Sequence, residues 1–245
     1  MSLRNSMYGL ICLCLITGCA TAPPANLSPE AMFQEGERLY AKKDYDDAIT
    51  AWKKVKEGAA EPELAARVDL RLGDAQYAKK QYIEAAAAYE DFRKFHPSHD
   101  QAAYALYRLA LSHYHQIGGI DTEQIPVKNT VIMLEAFLKQ YPSSEYAADV
   151  RQKLEECRTR QLRYELYVGK FYLRMEKYQA AIMRLEGALA NFPGTTYTDE
   201  LLFRLGQAYY ASGERAKGEQ ALSRLLKEFP ASSYAPDARK LMQKG

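Results

Sequence analysis

A pattern of aromatic and small residues recurs along this 245-residue chain at intervals of 37 residues. Asp44-Tyr45, Ala48 and Trp52 return as Gln81-Tyr82, Ala85 and Tyr89. From Ser28 onward, alanine-rich amphipathic stretches alternate with short breaks, and strand signals are almost absent. One helix pair of this length cannot bury its own apolar face, so units of this kind stack on their neighbours. The repeat therefore predicts an all-α solenoid.

Each later unit carries a small residue where two helices must pack closely, and it ends in a proline, which cannot continue a helix. The small residues are Gly73, Ala110, Gly169 and Gly206, and the closing prolines are Pro97, Pro142, Pro193 and Pro230. These spacings resemble the tetratricopeptide repeat. The resemblance implies an all-α tetratricopeptide-repeat superhelix, an α-solenoid of about five helix pairs.

The unit boundaries follow from the same offsets. We expect units at residues 29–62, 66–99, 103–142, 162–195 and 199–232. The third unit contains an insertion at Ile117–Ile125, and Tyr146–Arg160 forms an extra helical stretch that leads into the fourth unit. We group units one to three as an N-terminal part, residues 29–142, and the remainder as a C-terminal part, residues 143–245.

Residues 1–18 follow the pattern of a secretory signal, with Arg4 ahead of an apolar stretch from Met7 to Ile16. That stretch is well short of the about 20 residues that span a bilayer. Ile16-Thr17-Gly18-Cys19 resembles the bacterial lipoprotein box, which implies that Cys19 is lipidated, that residues 19–28 form a tether, and that the chain is anchored to the inner leaflet of the outer membrane, facing the periplasm. The alternative is an ordinary signal peptide cleaved elsewhere, or a helical anchor.

The sequence offers little to catalysis or to metal binding. The four histidines lack the spacing and the companion carboxylates or cysteines of a zinc site, and no nucleophile motif or phosphate-binding loop is present. Cys157 is the one thiol expected in the mature chain, at an unreactive helix position. The 33 basic and 31 acidic residues nearly cancel, which argues against a nucleic-acid partner. We therefore predict a binding protein that is not an enzyme and has no cofactor and no metal.

Aromatic residues at one register position suggest where binding occurs. Tyr40, Tyr77 and Tyr114 are each 37 residues apart, and Phe33 and Tyr107 lie on a neighbouring line. In a tetratricopeptide stack the first helix of each pair lines the concave face. These rings either fill gaps between helices or line a groove for an extended peptide.

Several short motifs resemble the BamD family, the lipoproteins of the outer-membrane β-barrel assembly complex. They are Phe95-His96-Pro97-Ser98-His99, Tyr104-Ala105-Leu106-Tyr107, Asp121-Thr122-Glu123-Gln124, Glu165-Leu166-Tyr167-Val168 and Ala180-Ala181-Ile182-Met183-Arg184-Leu185-Glu186. The resemblance covers nearly the whole mature chain.

If that resemblance holds, the protein is a scaffold that binds the POTRA part of the barrel-inserting subunit, works beside other assembly lipoproteins and helps to receive unfolded β-barrel proteins. It also implies a partner contact at Arg184 and Glu186. The aromatic groove would then receive the C-terminal segments of unfolded outer-membrane proteins. The alternative is a different periplasmic repeat lipoprotein, an adaptor for cell-wall enzymes or for the envelope-constriction machinery.

Overall fold

The computed structural model describes residues 27–58, 61–122 and 124–244, and every regular element in these ranges is an α-helix. The eleven helices are α1 (Pro29–Ala41), α2 (Tyr45–Glu57), α3 (Pro62–Ala78), α4 (Tyr82–Phe95), α5 (Ala102–His115), α6 (Ile125–Gln140), α7 (Ala147–Arg174), α8 (Tyr178–Asn191), α9 (Thr198–Ser212), α10 (Arg215–Glu228) and α11 (Ala235–Lys244).

The helices pack in chain order as five antiparallel pairs, from α1 with α2 to α9 with α10, and α11 closes the stack against α9 and α10. Four second helices end two residues before the prolines that the sequence marked: α4, α6, α8 and α10. The predicted tetratricopeptide-repeat solenoid is therefore confirmed.

The small residues of the repeat allow the two helices of a pair to approach closely. A Cβ atom added to Gly73 would lie 2.8 Å from Cε1 of Tyr89, and one added to Gly169 would lie 2.8 Å from Cδ2 of Leu185. Real Cβ atoms essentially never come so near, because the atoms would overlap. The absence of a side chain at these positions thus fixes the distance between first and second helices.

The turn inside a pair also repeats. In four pairs, a residue one or two positions after the end of the first helix has a left-handed backbone. These residues are Lys43 (φ 67°), Lys80 (φ 62°), Glu176 (φ 55°) and Gly213 (φ 86°). A single left-handed residue at this place ends a helix and turns the chain back. The third pair instead uses the longer connection between α5 and α6, where the sequence carries its insertion.

Helix α7 differs from the sequence interpretation. The stretch Tyr146–Arg160, expected as a separate lead-in, continues without a break into the first helix of the fourth unit, so α7 has 28 residues. Its first glycine is Gly169 and it has no proline, so nothing in its sequence interrupts the helix. Leu154 and Cys157 join the core of α4–α6, whereas Leu162 and Leu166 join the core of α8 and α9.

Candidate functional site

A cleft of about 390 Å³ lies between the first helices of units one, two and three. Its lining residues come from α1, α3, α5 and the residue just before α5: Phe33, Gln34, Glu37, Arg67, Leu70, Arg71, Asp74, Gln101 and Tyr104. The apolar part of the lining is Phe33 and Leu70, and most of the rest is polar or charged. The cleft therefore combines a small apolar floor with charged walls.

The repeat explains why these side chains meet. Arg71 and Arg108 occupy the same register position in successive units, 37 residues apart, as do Glu37 and Asp74. First helices stack side by side in a solenoid, so residues at one register position form a line across neighbouring units. The basic position is therefore filled in α3 and α5 and the acidic position in α1 and α3, so that the two charged pairs lie beside each other.

Asp74 is the buried centre of this arrangement, with only 2% of its surface exposed. The hydroxyls of Tyr89 and Tyr104 both donate to its Oδ1 at 2.7 Å, and Arg71 Nη1 donates to its Oδ2 at 3.2 Å. Arg108 Nε lies 3.8 Å from Oδ1 and donates to the Tyr89 hydroxyl at 3.2 Å. A buried carboxylate is tolerated when its lone pairs are satisfied in this way. Asp74 therefore ties α3, α4 and α5 together.

Tyr89 and Tyr104 also respond to this carboxylate. Burial, and then the negative charge of Asp74, raises the pKa of both hydroxyls well above that of a free tyrosine. Both phenols are neutral donors at neutral pH. The polar groups at the centre of the cleft thus hold one another in place, and they form no nucleophile–base pair.

Charged pairs build the walls of the cleft. Arg71 donates to Glu37 through Nε at 2.9 Å and through Nη2 at 2.5 Å, which links α3 to α1. Arg67 pairs with Glu30 at 3.2 Å, and its guanidinium lies 4.1 Å from the centre of the Phe33 ring. The walls thus present guanidinium groups beside an aromatic ring, a combination that suits an acidic or C-terminal group attached to an apolar side chain.

Tyr40 and Tyr77, both predicted to line a groove, are half-buried at equivalent positions of α1 and α3. Tyr40 packs on Tyr45 and Trp52, and the guanidinium of Arg71 lies 5.6 Å from its ring centre. The guanidinium of Arg108 lies 3.6 Å from the Tyr77 ring centre. Burial raises the pKa of both hydroxyls. Each tyrosine ring therefore lies beside an arginine of the next unit's first helix.

Tyr107 and Tyr114, the remaining tyrosines of the predicted groove, face α7. Tyr107 donates to Asp149 Oδ2 at 3.1 Å and stacks on Tyr146, and Tyr114 donates to Glu156. Burial raises the pKa of each hydroxyl to about 12. The structure thus places these two rings at the contact between α5 and α7.

Of the five predicted groove residues, Phe33 lines the cleft and the other four stand around it or beside α7. Sequence reasoning missed Glu37, Arg71, Asp74 and Arg108, because their charged partners come from other helices and are not adjacent in the sequence. The 37-residue spacing from Arg71 to Arg108 and from Glu37 to Asp74 was the signal that could have found them.

The predicted partner residues Arg184 and Glu186 are both exposed on α8 but point to different neighbours. Arg184 Nη1 pairs with Glu165 Oε2 of α7 at 3.2 Å. Glu186 accepts a hydrogen bond from the Tyr209 hydroxyl of α9. The two side chains thus mark the α7–α8 and α8–α9 contacts of the C-terminal part.

The remaining candidates fall outside this arrangement. Cys19 and the signal lie outside the described residues. Cys157 is fully buried, and burial raises its pKa to about 11, so its thiol is protonated at neutral pH. Within residues 27–58, 61–122 and 124–244, no group of histidine, cysteine and acidic side chains is arranged to hold a metal ion. None of the helices described in the structure is both long and apolar enough to cross a membrane.

Comparison with known proteins gives a consistent picture. Residues 25–222 match the family model of the outer membrane lipoprotein YfiO. The outer membrane protein assembly factor BamD of Rickettsia prowazekii is 27% identical over 247 residues, covering 99% of this chain and 98% of the relative. BamD of Caulobacter vibrioides is 27% identical, covering 87% of this chain and 70% of the relative, and BamD of Vibrio cholerae is 26% identical, covering 85% and 92%.

Solved structures resemble the chain more distantly. The TPR2AB domain of yeast Sti1 in its pHSP90 complex has a TM-score of 0.44 at 14% identity, over 88% of this chain and 97% of that one. MamA has a TM-score of 0.41 at 20% identity, over 81% and 90%. The fold assignment rests on the helix pairs themselves rather than on these matches.

Proposed function

The chain belongs to the YfiO family of outer membrane lipoproteins, and from that premise we propose that it is an assembly factor for outer membrane proteins that works by binding and not by catalysis. The observation that carries the proposal is the family match over residues 25–222, which includes both the cleft and the α7–α8 surface. Relatives of nearly equal length are named as assembly factors of this kind.

The proposal is tested by depleting the protein in the bacterium that makes it. We expect the amounts of folded β-barrel proteins in the outer membrane to fall before growth stops, because barrels that are not assembled are degraded in the periplasm. The measurement is quantitative mass spectrometry of outer-membrane fractions, with lipoproteins as the internal control. Barrel levels that stay normal while the protein is absent would reject this function.

Anchoring through lipid on Cys19 would hold the repeats near the inner leaflet of the outer membrane. Several acyl chains bind a bilayer far more firmly than one chain does. A Cys19→Ala variant should keep its helix content but lose outer-membrane sedimentation when its partners are absent. Sedimentation that persists in that strain would show that the anchor lies elsewhere.

A surface around Arg184 and Glu186 would bind the POTRA part of the barrel-inserting subunit, beside other assembly lipoproteins. Arg184 is the sharper probe, because 44% of its side chain is exposed and it pairs across helices with Glu165. Arg158 is a matched control, 45% exposed and paired across helices with Glu135 at 3.1 Å.

Arg184→Glu should therefore weaken co-purification with POTRA domains, while Arg158→Glu should not. Arg184→Glu places a second acid beside Glu165, and Arg158→Glu places one beside Glu135 and Glu155, so the control costs at least as much stability as the test variant. Equal retention of POTRA domains by the two variants would remove Arg184 from the contact.

The cleft and the surrounding tyrosines Tyr40, Tyr77, Tyr107 and Tyr114 would receive the C-terminal segments of unfolded outer-membrane proteins. A strand repeats the side chains of one face about every 7 Å, whereas neighbouring helices lie about 10 Å apart. The two spacings do not match, so we expect two or three anchored rings rather than a continuous zipper. Phe33 and the guanidinium of Arg67 are the groups best placed to hold a terminal aromatic residue.

Photo-crosslinking from Gln34 and Gln101, which line the cleft, tests this assignment. A peptide that ends in phenylalanine should label both positions more strongly than the same peptide ending in alanine. Gln179 on α8 serves as the control position, because it is exposed and far along the chain from the cleft. Equal labelling by both peptides, or labelling at Gln179 alone, would reject the cleft as the substrate site.

A further inference from the structure

An apolar stripe runs along α7 with one polar interruption at Gln161, and its second half has no helix packed against it in the described parts of the chain. Val150, Leu154 and Cys157 form the first half and are buried against α5 and α6. After the polar Gln161, apolar side chains resume at a spacing of three and four residues and reach Phe171, which is 44% exposed, and Met175, the residue after α7, which is 55% exposed. Helix α6 covers the first half only.

The other units show what normally covers this position. Two positions of each first helix are compared, five residues before and two residues after its small residue. In unit four they are Tyr164 and Phe171. The equivalent residues are Val68 and Ala75 in α3, and Leu201 and Ala208 in α9. Those four residues are fully buried, and they pack against the second helix of the preceding unit, α2 and α8 respectively. The equivalent face in unit four is also apolar, yet Tyr164 is only half-buried and Phe171 is exposed.

The origin of the difference lies in the break before α7. The segment Tyr141–Asp149 resembles Phe192–Glu200 and Phe229–Asp237, and each of these segments begins a new helix of the stack. Helix α7 therefore contains two first helices in succession, residues 147–160 and 162–174, with no second helix between them. The uncovered α7 face, defined as Tyr164, Tyr167, Phe171 and Met175, is where that second helix would pack.

The charges beside the uncovered α7 face restrict what can bind there. Arg163 and Arg174 are exposed along one edge of it, about three helical turns apart, and neither forms an ion pair with a carboxylate among the described residues. Arg160, one turn earlier, donates to the carbonyl oxygen of Gly118 at 3.1 Å and lines a second cleft of about 210 Å³ with Ile120 and Arg163. The rim is thus basic, whereas Glu165 is turned toward Arg184 on another side of the helix.

We propose that the uncovered α7 face binds an amphipathic α-helix of another protein, whose apolar side replaces the missing second helix and whose acidic side chains meet Arg163 and Arg174. The second helices α4, α8 and α10 each have 14 residues, so a partner helix of about four turns would fill the place. This proposal rests on helix packing and charge, and it does not depend on the substrate cleft or on the role of Arg184.

The test uses the full-length protein in the membranes of the bacterium that makes it. A photo-crosslinking amino acid is placed in turn at Tyr167, Phe171 and Met175, with Met183 as the control, since Met183 is 72% exposed on α8 outside this face. We expect all three face positions to label one segment of one partner at residues three, four or seven apart, with Asp or Glu beside them. Met183 should not label that segment.

Two variants sharpen the result. Phe171→Asp should lower labelling from Met175 by about tenfold, as truncation of a central aromatic contact does, whereas Met183→Asp should leave it unchanged. Arg163→Glu should lower labelling severalfold and weaken its dependence on salt, since Arg174 remains. All three side chains are exposed, so each variant should melt as the parent protein does.

Other outcomes overturn the proposal. Labelling of every second residue in an extended segment would identify a strand instead of a helix. Labelling confined to a second copy of this chain would make the face a self-association surface. Labelling of the partner segment that is no stronger than from Met183, or equally strong after Phe171→Asp, would show that the face has no specific occupant.

Discussion

Replacing Asp74 with alanine should destabilise the N-terminal three units more than any other single change of a charged residue in the cleft. The carboxylate accepts hydrogen bonds from two tyrosine hydroxyls and from Arg71, and Arg108 lies close by. Alanine would leave the Tyr89 and Tyr104 hydroxyls and part of the guanidinium charge without an acceptor in a buried place.

The expected magnitude follows from those partners. Leaving a buried hydroxyl unpaired costs about 1–3 kcal/mol, and removing one member of a buried ion pair costs about 3–5 kcal/mol. These contributions overlap, and Arg71 keeps its pairing with Glu37, so we expect a total loss of about 3–5 kcal/mol. Asp74→Asn keeps one acceptor oxygen and should lose about 1–2 kcal/mol.

Urea denaturation followed by circular dichroism measures the loss. Repeat proteins do not always unfold in one step, so the comparison uses the transition that shifts with the substitution. Asp46→Ala is the control, because Asp46 forms an ion pair with Lys79 but is exposed to solvent. This substitution should lower the free energy of unfolding by about 1 kcal/mol or less. If Asp74→Ala shifts the transition no more than Asp46→Ala does, the buried carboxylate is not the centre of this network.

Three further outcomes are expected. Gly73→Ala should lower the free energy of unfolding by about 1–3 kcal/mol, because the added Cβ overlaps the ring of Tyr89. Gly187→Ala, on an open side of α8, should raise the free energy of unfolding by up to about 1 kcal/mol. Equal effects of the two substitutions in urea denaturation would contradict the packing argument. Burial raises the pKa of Tyr107 and of Tyr114 to about 12, whereas an unfolded tyrosine has a pKa of about 10. The stability that the two neutral hydroxyls contribute is therefore complete below about pH 10 and is lost as the pH rises to about 12. Phenylalanine at both positions should make this loss of stability smaller in thermal melts recorded across that pH range. A chain that starts at residue 27 contains Cys157 as its single thiol. At pH 8 this thiol should react with a disulfide reagent about a hundredfold more slowly in the folded protein than in urea. Rapid reaction of the folded protein would contradict the burial of Cys157.

The repeat could be predicted from sequence because its signals are local and periodic. A glycine sixteen residues before an aromatic or leucine, as in Gly73 and Tyr89 or Gly169 and Leu185, encodes the close approach of two helices directly. Prolines after the second helices encode their ends. These features depend on spacing along the chain, which a single sequence displays in full.

The cleft could be predicted only in part. Phe33 stood out because aromatic residues are easily recognised at one register position, and the cleft does contain it. The Asp74 network depends on side chains that meet only after three units have stacked, and a lone charged residue in a helix resembles a solvated one until its partners are known. The contacts of Tyr107 and Tyr114 with α7 likewise join side chains that are 42 residues apart in the chain and that meet only after the helices have packed.

The continuity of α7 also sets how the two ends of the protein communicate. A helix of 28 residues at about 1.5 Å per residue is about 42 Å long, and it is anchored in one core by its first half and in the other by its second. Bending between these cores would break backbone hydrogen bonds that no nearby glycine or proline has already weakened. A displacement of either core therefore moves α7 as a rigid helix, and the other core moves with it. If the proposed function is correct, passage of a bound polypeptide from one end to the other would come from motion of the polypeptide or of a partner rather than from bending within α7.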